Sequence, residues 1–190
     1  MDNENSRGYS NPHWKADGSL LKDQDSSGLI KIPARALNII WGNDPRYWQW
    51  IKLTEENTKL LARFEEGSML LQVNWIEVTG KLPIIPSMAA STSKAYEIFY
   101  IVKFRVDAFG WHSVPVKFKV RVNGEEKVKS VMLQHYREKQ EEWQEIPGGD
   151  FAVPRDTVGT VEFGMFEIES DWWKGGMVLA GIVIKPKLVD

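Results

Sequence analysis

Over residues 116–122, Val116, Phe118, Val120 and Val122 alternate with Lys117, Lys119 and Arg121, the two-residue period of a strand with one buried face. Asn123-Gly124 follows, a pair suited to the positive backbone angles of a two-residue hairpin turn, and residues 130–136 are expected to form the return strand. The same alternation runs through 95–106, with Tyr96, Ile98, Tyr100, Val102, Phe104 and Val106 on one face. β-branched and aromatic residues mark further strands over 37–41, 70–82 (stopping before Pro83), 141–146, 160–170 and 176–186. Pro147-Gly148-Gly149 reads as another turn. Only Leu53 to Ser68 predicts a helix: acidic residues come early, Leu60, Leu61 and Phe64 are helically spaced, and Gly67 closes it.

Residues 1–29 are polar and short of aliphatics, so they are expected to be a flexible tail in which Trp14 is the one residue equipped to dock. Residues 30–190 are then the folded domain. Many strands separated by turns predict an all-β fold, an antiparallel β-sandwich of jelly-roll type with at most one or two short helices. A closed barrel is the alternative, because periodicity alone does not separate the two.

Composition narrows the chemistry. The chain has 190 residues, 43% hydrophobic and 26% charged, enough for one domain with a sizeable core. Its 24 basic and 26 acidic residues are mixed along the chain, so no basic surface is expected to hold nucleic acid. No run approaches the roughly 18 apolar residues that span a bilayer, and the first residues lack a signal-peptide core. There is no cysteine, which excludes disulfides, thiolate metal sites and a cysteine nucleophile. The three histidines have no metal-ligand spacing, so no metal or other cofactor is expected. Without sequons or a leader, the expected compartment is the cytoplasm.

Nucleophile elbows, P-loops and dinucleotide fingerprints are missing from the sequence. Glu167 and Glu169 share a predicted strand face about 7 Å apart, inside the roughly 5–9.5 Å spacing of glycosidase carboxylates. Alternating glutamates on a strand are nevertheless far more often a solvated outer face, and a non-enzyme is expected. The aromatic residues carry more information. "WGNDPRYWQW", Trp41 to Trp50, crowds three tryptophans and a tyrosine around a polar turn. An aromatic ring face attracts the C–H groups of a pyranose, and Asn, Asp or Arg can meet its hydroxyls. The competing reading is that these tryptophans fill the core beneath the turn. Trp75, and one of Trp172 and Trp173, are expected in the core; Trp111 is either a loop anchor or core closure.

"LNIIWGNDPRYWQW", "NWIEVTGKL", "YEIFYIVKF" and "VEFGMFEIESDWWKGGMVLAGIVIKP" together resemble the Nictaba-related plant lectins, the phloem lectin family, from about Leu37 to Lys187. The resemblance implies a carbohydrate-binding sandwich for N-acetylglucosamine oligomers and the cores of N-glycoproteins, with no catalytic residue or cofactor. It also implies a homodimer and residence in cytoplasm or phloem sap, with a phloem or defence role. Two family tryptophans match Trp41 and Trp48, and a family glutamate matches Glu167. A second acidic residue of the tobacco member falls at Thr160, with Glu162 its nearest substitute. The basic import stretch of that member is replaced by "REKQEEWQEI" (137–146), so nuclear entry is not supported. On this footing Trp48 is expected to be the stacking platform or its immediate support, and Trp41 either a site residue or a core residue that positions the turn. Arg46, Tyr47, Asn43 and Asp44 are candidates for polar contacts, with Trp173 and Lys174 on the opposite wall. The rival expectation is a protein-interaction module on the same fold that has lost sugar binding.

Overall fold

The computed structural model describes residues 11–21, 28–53, 64–89 and 94–187. Among them are eleven strands: β1 (Ile30–Pro33), β2 (Asn38–Ile39), β3 (Trp48–Lys52), β4 (Glu66–Leu70), β5 (Ile76–Pro83), β6 (Lys94–Phe109), β7 (Val116–Val122), β8 (Glu125–Val131), β9 (Trp143–Val153), β10 (Thr160–Glu167) and β11 (Gly175–Lys187). Two short helices, α1 (Pro86–Ala89) and α2 (Gln134–Arg137), lie between strands. The strands form two separate antiparallel sheets. One runs β3-β4-β11-β6-β9, with β1 also pairing to β11; the other runs β2-β5-β10-β7-β8. The molecule is therefore a sandwich and not a closed barrel.

The main core lies between the sheets. Tyr96, Ile98, Tyr100, Val102 and Phe104 of β6 face Val116, Phe118 and Val120 of β7 and Val161, Phe163 and Met165 of β10. Val106, expected on that inner face, is exposed. β11 is buried on both faces, as its unbroken apolar run requires. A register shift between Leu179 and Gly181 resets the alternation. Met177, Leu179, Ile182 and Ile184 then face the main core, while Val178, Ala180 and Val183 join Leu53, Phe64 and Ile101 in a second cluster behind the sheet.

Several boundaries differ from the sequence reading, each for a physical reason. The 70–82 run breaks at 71–75 because the chain crosses there from one sheet to the other. The return strand after the turn is 125–131 rather than 130–136. Asn123 and Gly124 both have positive φ (51° and 82°), so Val122 pairs directly with Glu125. β8 is a largely exposed edge strand and needs no apolar pattern. The expected turn at Pro147-Gly148-Gly149 is instead a bulge within β9, opposite Glu97 to Phe99. Of the helix expected over 53–68, residues 54–63 lie outside the described residues, and Glu66 to Ser68 open β4.

Candidate functional site

Four loops meet at one end of the sandwich: 40–47, 71–75, 110–115 and 168–174. The ladders dictate this, because Ile76 pairs with Glu167, Phe166 with Lys117, and Gly175 with Phe109. Direct bonds fasten the loops to one another. The Leu71 amide donates to the Tyr47 carbonyl (2.8 Å), and Val73 and Lys174 exchange backbone bonds of 2.9 Å. Apart from Glu162, which lies farther along β10 opposite Lys81 and Arg121, every residue that the sequence reading nominated sits at this end, but in two layers.

The lower layer is buried. Trp48 is only 2% exposed and packs in the main core, its indole N–H without a hydrogen-bond partner among the described residues. Its ring faces are therefore not open to a ligand in this structure. Of the two roles expected for it, support is the one this position allows. Trp111 is likewise buried and donates its indole N–H to the Gly175 carbonyl at 2.9 Å, so it closes the core and anchors its loop at once.

Glu167 does not lie on a solvated face. It is 3% exposed and paired with the fully buried Lys174, Nζ to Oε2 at 2.5 Å. Lys174 also donates to the Trp172 carbonyl at 2.7 Å, and Ser170 Oγ donates to Glu167 Oε1 at 2.9 Å. Together these bonds fix the course of 168–174. They also use the polar atoms that a ligand would need, so the pair orients the loop. Glu169, past the end of β10, is exposed and accepts from Lys117 Nζ at 2.5 Å. That hydrogen bond holds its carboxyl below the usual value.

The upper layer is aromatic and open. Trp172 and Trp173 are 46% and 47% exposed and Trp75 is 40% exposed, against the expectation that Trp75 and one of the pair would be core. That expectation assumed strand alternation, whereas 168–173 is not strand and Trp75 lies at the crossing between sheets. Trp172 meets His112 edge-on, their centroids 5.9 Å apart.

Trp41 and Tyr47 are half-buried and touch edge to face at 5.7 Å. Trp41 has φ 64°, a left-handed conformation that costs a residue with a side chain about 1–2 kcal/mol. The conformation is held from outside the turn. The Trp41 amide donates to His13 Nδ1 (2.9 Å), the Asn43 amide to the Pro12 carbonyl (2.9 Å), and Asn43 Nδ2 to the Asn11 carbonyl (3.1 Å). Trp14 forms a bridge with Ile39 and packs edge-on against Trp50, while Arg35 lies over both rings. Asn43 is thus committed to the 11–14 segment. Asp44 and Arg46 are committed to each other, Nη2 to Oδ2 at 2.7 Å, and the hydrogen bond from Arg46 lowers the Asp44 pKa.

Sequence reasoning missed Trp75 and Trp172 as exposed rings, and Ser170 as part of the buried network. Four aromatic residues around a polar turn gave one signal; "DWWKGG" gave the same kind of signal, with two adjacent indoles running into a lysine and glycines.

The fold and this loop end define an antiparallel β-sandwich that displays aromatic side chains above a buried ion pair. The chain belongs to the phloem protein 2 family, whose model (Phloem protein 2) matches residues 29–186. Among relatives from Arabidopsis thaliana, Protein PHLOEM PROTEIN 2-LIKE A5 is 30% identical over 160 residues, covering 84% of this chain and 37% of that protein. Protein PHLOEM PROTEIN 2-LIKE A1 is 29% identical, covering 87% and 64% respectively. The putative F-box protein PP2-B12 is 31% identical, covering 82% and 60%. The chain therefore spans between 37% and 64% of the length of these relatives. Among solved structures, TmCBM61 in complex with β-1,4-galactotriose aligns over 80% of this chain and 87% of its own, at 10% identity and a TM-score of 0.42.

Proposed function

We propose that this chain is a non-catalytic carbohydrate-binding domain, a lectin for N-acetylglucosamine oligomers and the N-glycan cores that contain them. The observation that carries the reading is the exposure of Trp172, Trp173 and Trp75 on loops that the buried Glu167–Lys174 pair holds in place. Indole faces supply stacking area for pyranose rings, and a shallow site of this kind binds in the range of about -4 to -8 kcal/mol, millimolar to micromolar. Non-catalysis is supported by the commitment of Glu167 to Lys174 and of Glu169 to Lys117. In this reading the protein works in the cytoplasm or phloem sap, in transport or defence. A homodimer would present two sites and raise avidity without new contacts.

Titration calorimetry of the full chain with N-acetylglucosamine trimer tests the reading. Saturable heat that Trp173→Ala removes while its far-UV spectrum is unchanged supports it. A folded wild-type chain that takes up no trimer overturns it.

The second reading, a protein-interaction module without sugar binding, is favoured by the burial of Trp48 and Glu167, two residues matched to the family's sugar contacts. It requires that a captured protein partner is not displaced by free trimer. Displacement by trimer returns the choice to the lectin.

A further inference from the structure

We propose that the outer face of the five-stranded sheet carries a second ligand site, separate from the loop end, for a pyranose unit of a neutral oligosaccharide. A groove of about 370 Å³ crosses this face over β5, β10, β7 and β8, within the roughly 300–1,000 Å³ of small-ligand pockets. Its lining includes Phe166, whose ring covers Gly164 of the middle strand, which pairs with Thr79 on one side and Lys119 on the other. A Cβ on Gly164 would lie 2.6 Å from Phe166 Cε2 and 2.8 Å from the Val78 carbonyl oxygen. The Phe166 ring therefore reclines along its own strand into the space that a side chain at 164 would fill. It lies low on the sheet instead of standing upright, with the Lys119 ammonium 4.6 Å from its centroid.

Around this aromatic floor the charges alternate in sign. Lys81 pairs with Glu162 at 3.5 Å and Lys119 with Glu126 at 4.0 Å, both loose and solvent-facing contacts. Arg121 stands in register between Glu162 and Glu126, and no ion pair or side-chain hydrogen bond engages it among the described residues. Interleaved carboxylates and cations suit hydroxyl groups, which donate to the former and accept from the latter. An anionic ligand would gain at Arg121 and lose at its two flanking carboxylates, so the balance favours a neutral one. The low ring supplies the apolar platform for the C–H face of a sugar, and loose surface ion pairs cost little to rearrange. A smaller hollow of about 100 Å³ lies beyond Phe166 and Lys119 beside Lys117 and Glu169, a neighbouring position for a further unit of a chain along the sheet.

The test follows backbone amide shifts of the isotopically labelled full chain on titration with β-1,4-linked tetramers of glucose, mannose and N-acetylglucosamine, to about 10 mM. A galacturonic acid trimer provides the charged counterpart. At least one neutral tetramer should shift the amides of Gly164, Phe166 and Lys119. Phe166→Ala should weaken that binding about tenfold, as loss of a stacking ring does, and the exposed Arg121→Gln should weaken it several-fold without touching the fold. Trp173→Ala should leave these shifts intact, which separates this site from the loop-end proposal whatever becomes of that one. The inference is overturned if tetramers shift only the 40–47, 71–75 and 168–174 amides, or if the acidic trimer alone moves Gly164. It is equally overturned if no tetramer shifts Gly164, in which case Phe166 serves only to cover a glycine on a sheet surface.

Discussion

The two layers at the loop end are built from the same residue types to opposite purposes. Below, Trp48, Trp111, Glu167 and Lys174 are withdrawn from solvent; above, Trp75, Trp172, Trp173 and the Glu169–Lys117 pair are left in it. Glu167 and Glu169 make the contrast sharpest, because each accepts from a lysine at 2.5 Å, one pair buried within a wider network and the other in solvent. A loss of binding after substitution therefore has two meanings. In the lower layer it reports a displaced loop, whereas in the upper layer it reports a lost contact.

The largest expected effect comes from breaking the buried pair on one side. Lys174→Met leaves Glu167 without its cation and should cost about 3–5 kcal/mol in urea unfolding. Adding Glu167→Leu should recover most of that loss. If the single variant is as stable as wild type, the buried pair does not hold the loop. Next is Trp111→Phe, which leaves the Gly175 carbonyl without its donor and should cost about 1–3 kcal/mol. An unchanged unfolding midpoint would mean that this bond contributes nothing.

Trp173→Ala should change stability by no more than about 0.5 kcal/mol, while trimer binding falls at least about tenfold, the signature of the upper layer. Comparable losses in both quantities would erase the distinction between layers. The smallest effect is expected from Glu169→Gln. The Glu169 carboxyl is held below its ordinary value of 4.5 by Lys117, so its contribution to stability is present above that pH and fades as pH falls through the lowered value. The variant should match wild type in acid and fall slightly below it near neutrality, with the gap closing in high salt. A gap that grows in acid would contradict this.

The strands were legible in β6, β7 and β10, where one face meets the core over a long run and burial writes a two-residue alternation into the sequence; the short β1 and β3 carried too few positions to show it. β8 left no such trace, since an exposed edge strand owes its place to the two-residue turn before it. The aromatic turn and "DWWKGG" were both singled out from the sequence, and the ladders bring both to one end of the sandwich. Which tryptophan faces solvent was not legible. Trp48 occupies the first position of a strand whose inward phase is set by pairing to Leu70, and Trp172 and Trp173 follow a strand that has already ended. Nor does a glutamate in an alternating run reveal that a lysine seven residues later will fold back to meet it. That meeting depends on the Val73–Lys174 bridge between distant segments.

The family match begins at residue 29, yet the turn bearing Trp41 is braced by Asn11, Pro12, His13 and Trp14, which lie ahead of it. A chain trimmed to the matched region would keep every strand and lose the hands that hold its first aromatic loop in an unfavourable backbone conformation. Ligand preferences measured on such a fragment would describe a relaxed turn that the intact chain does not have.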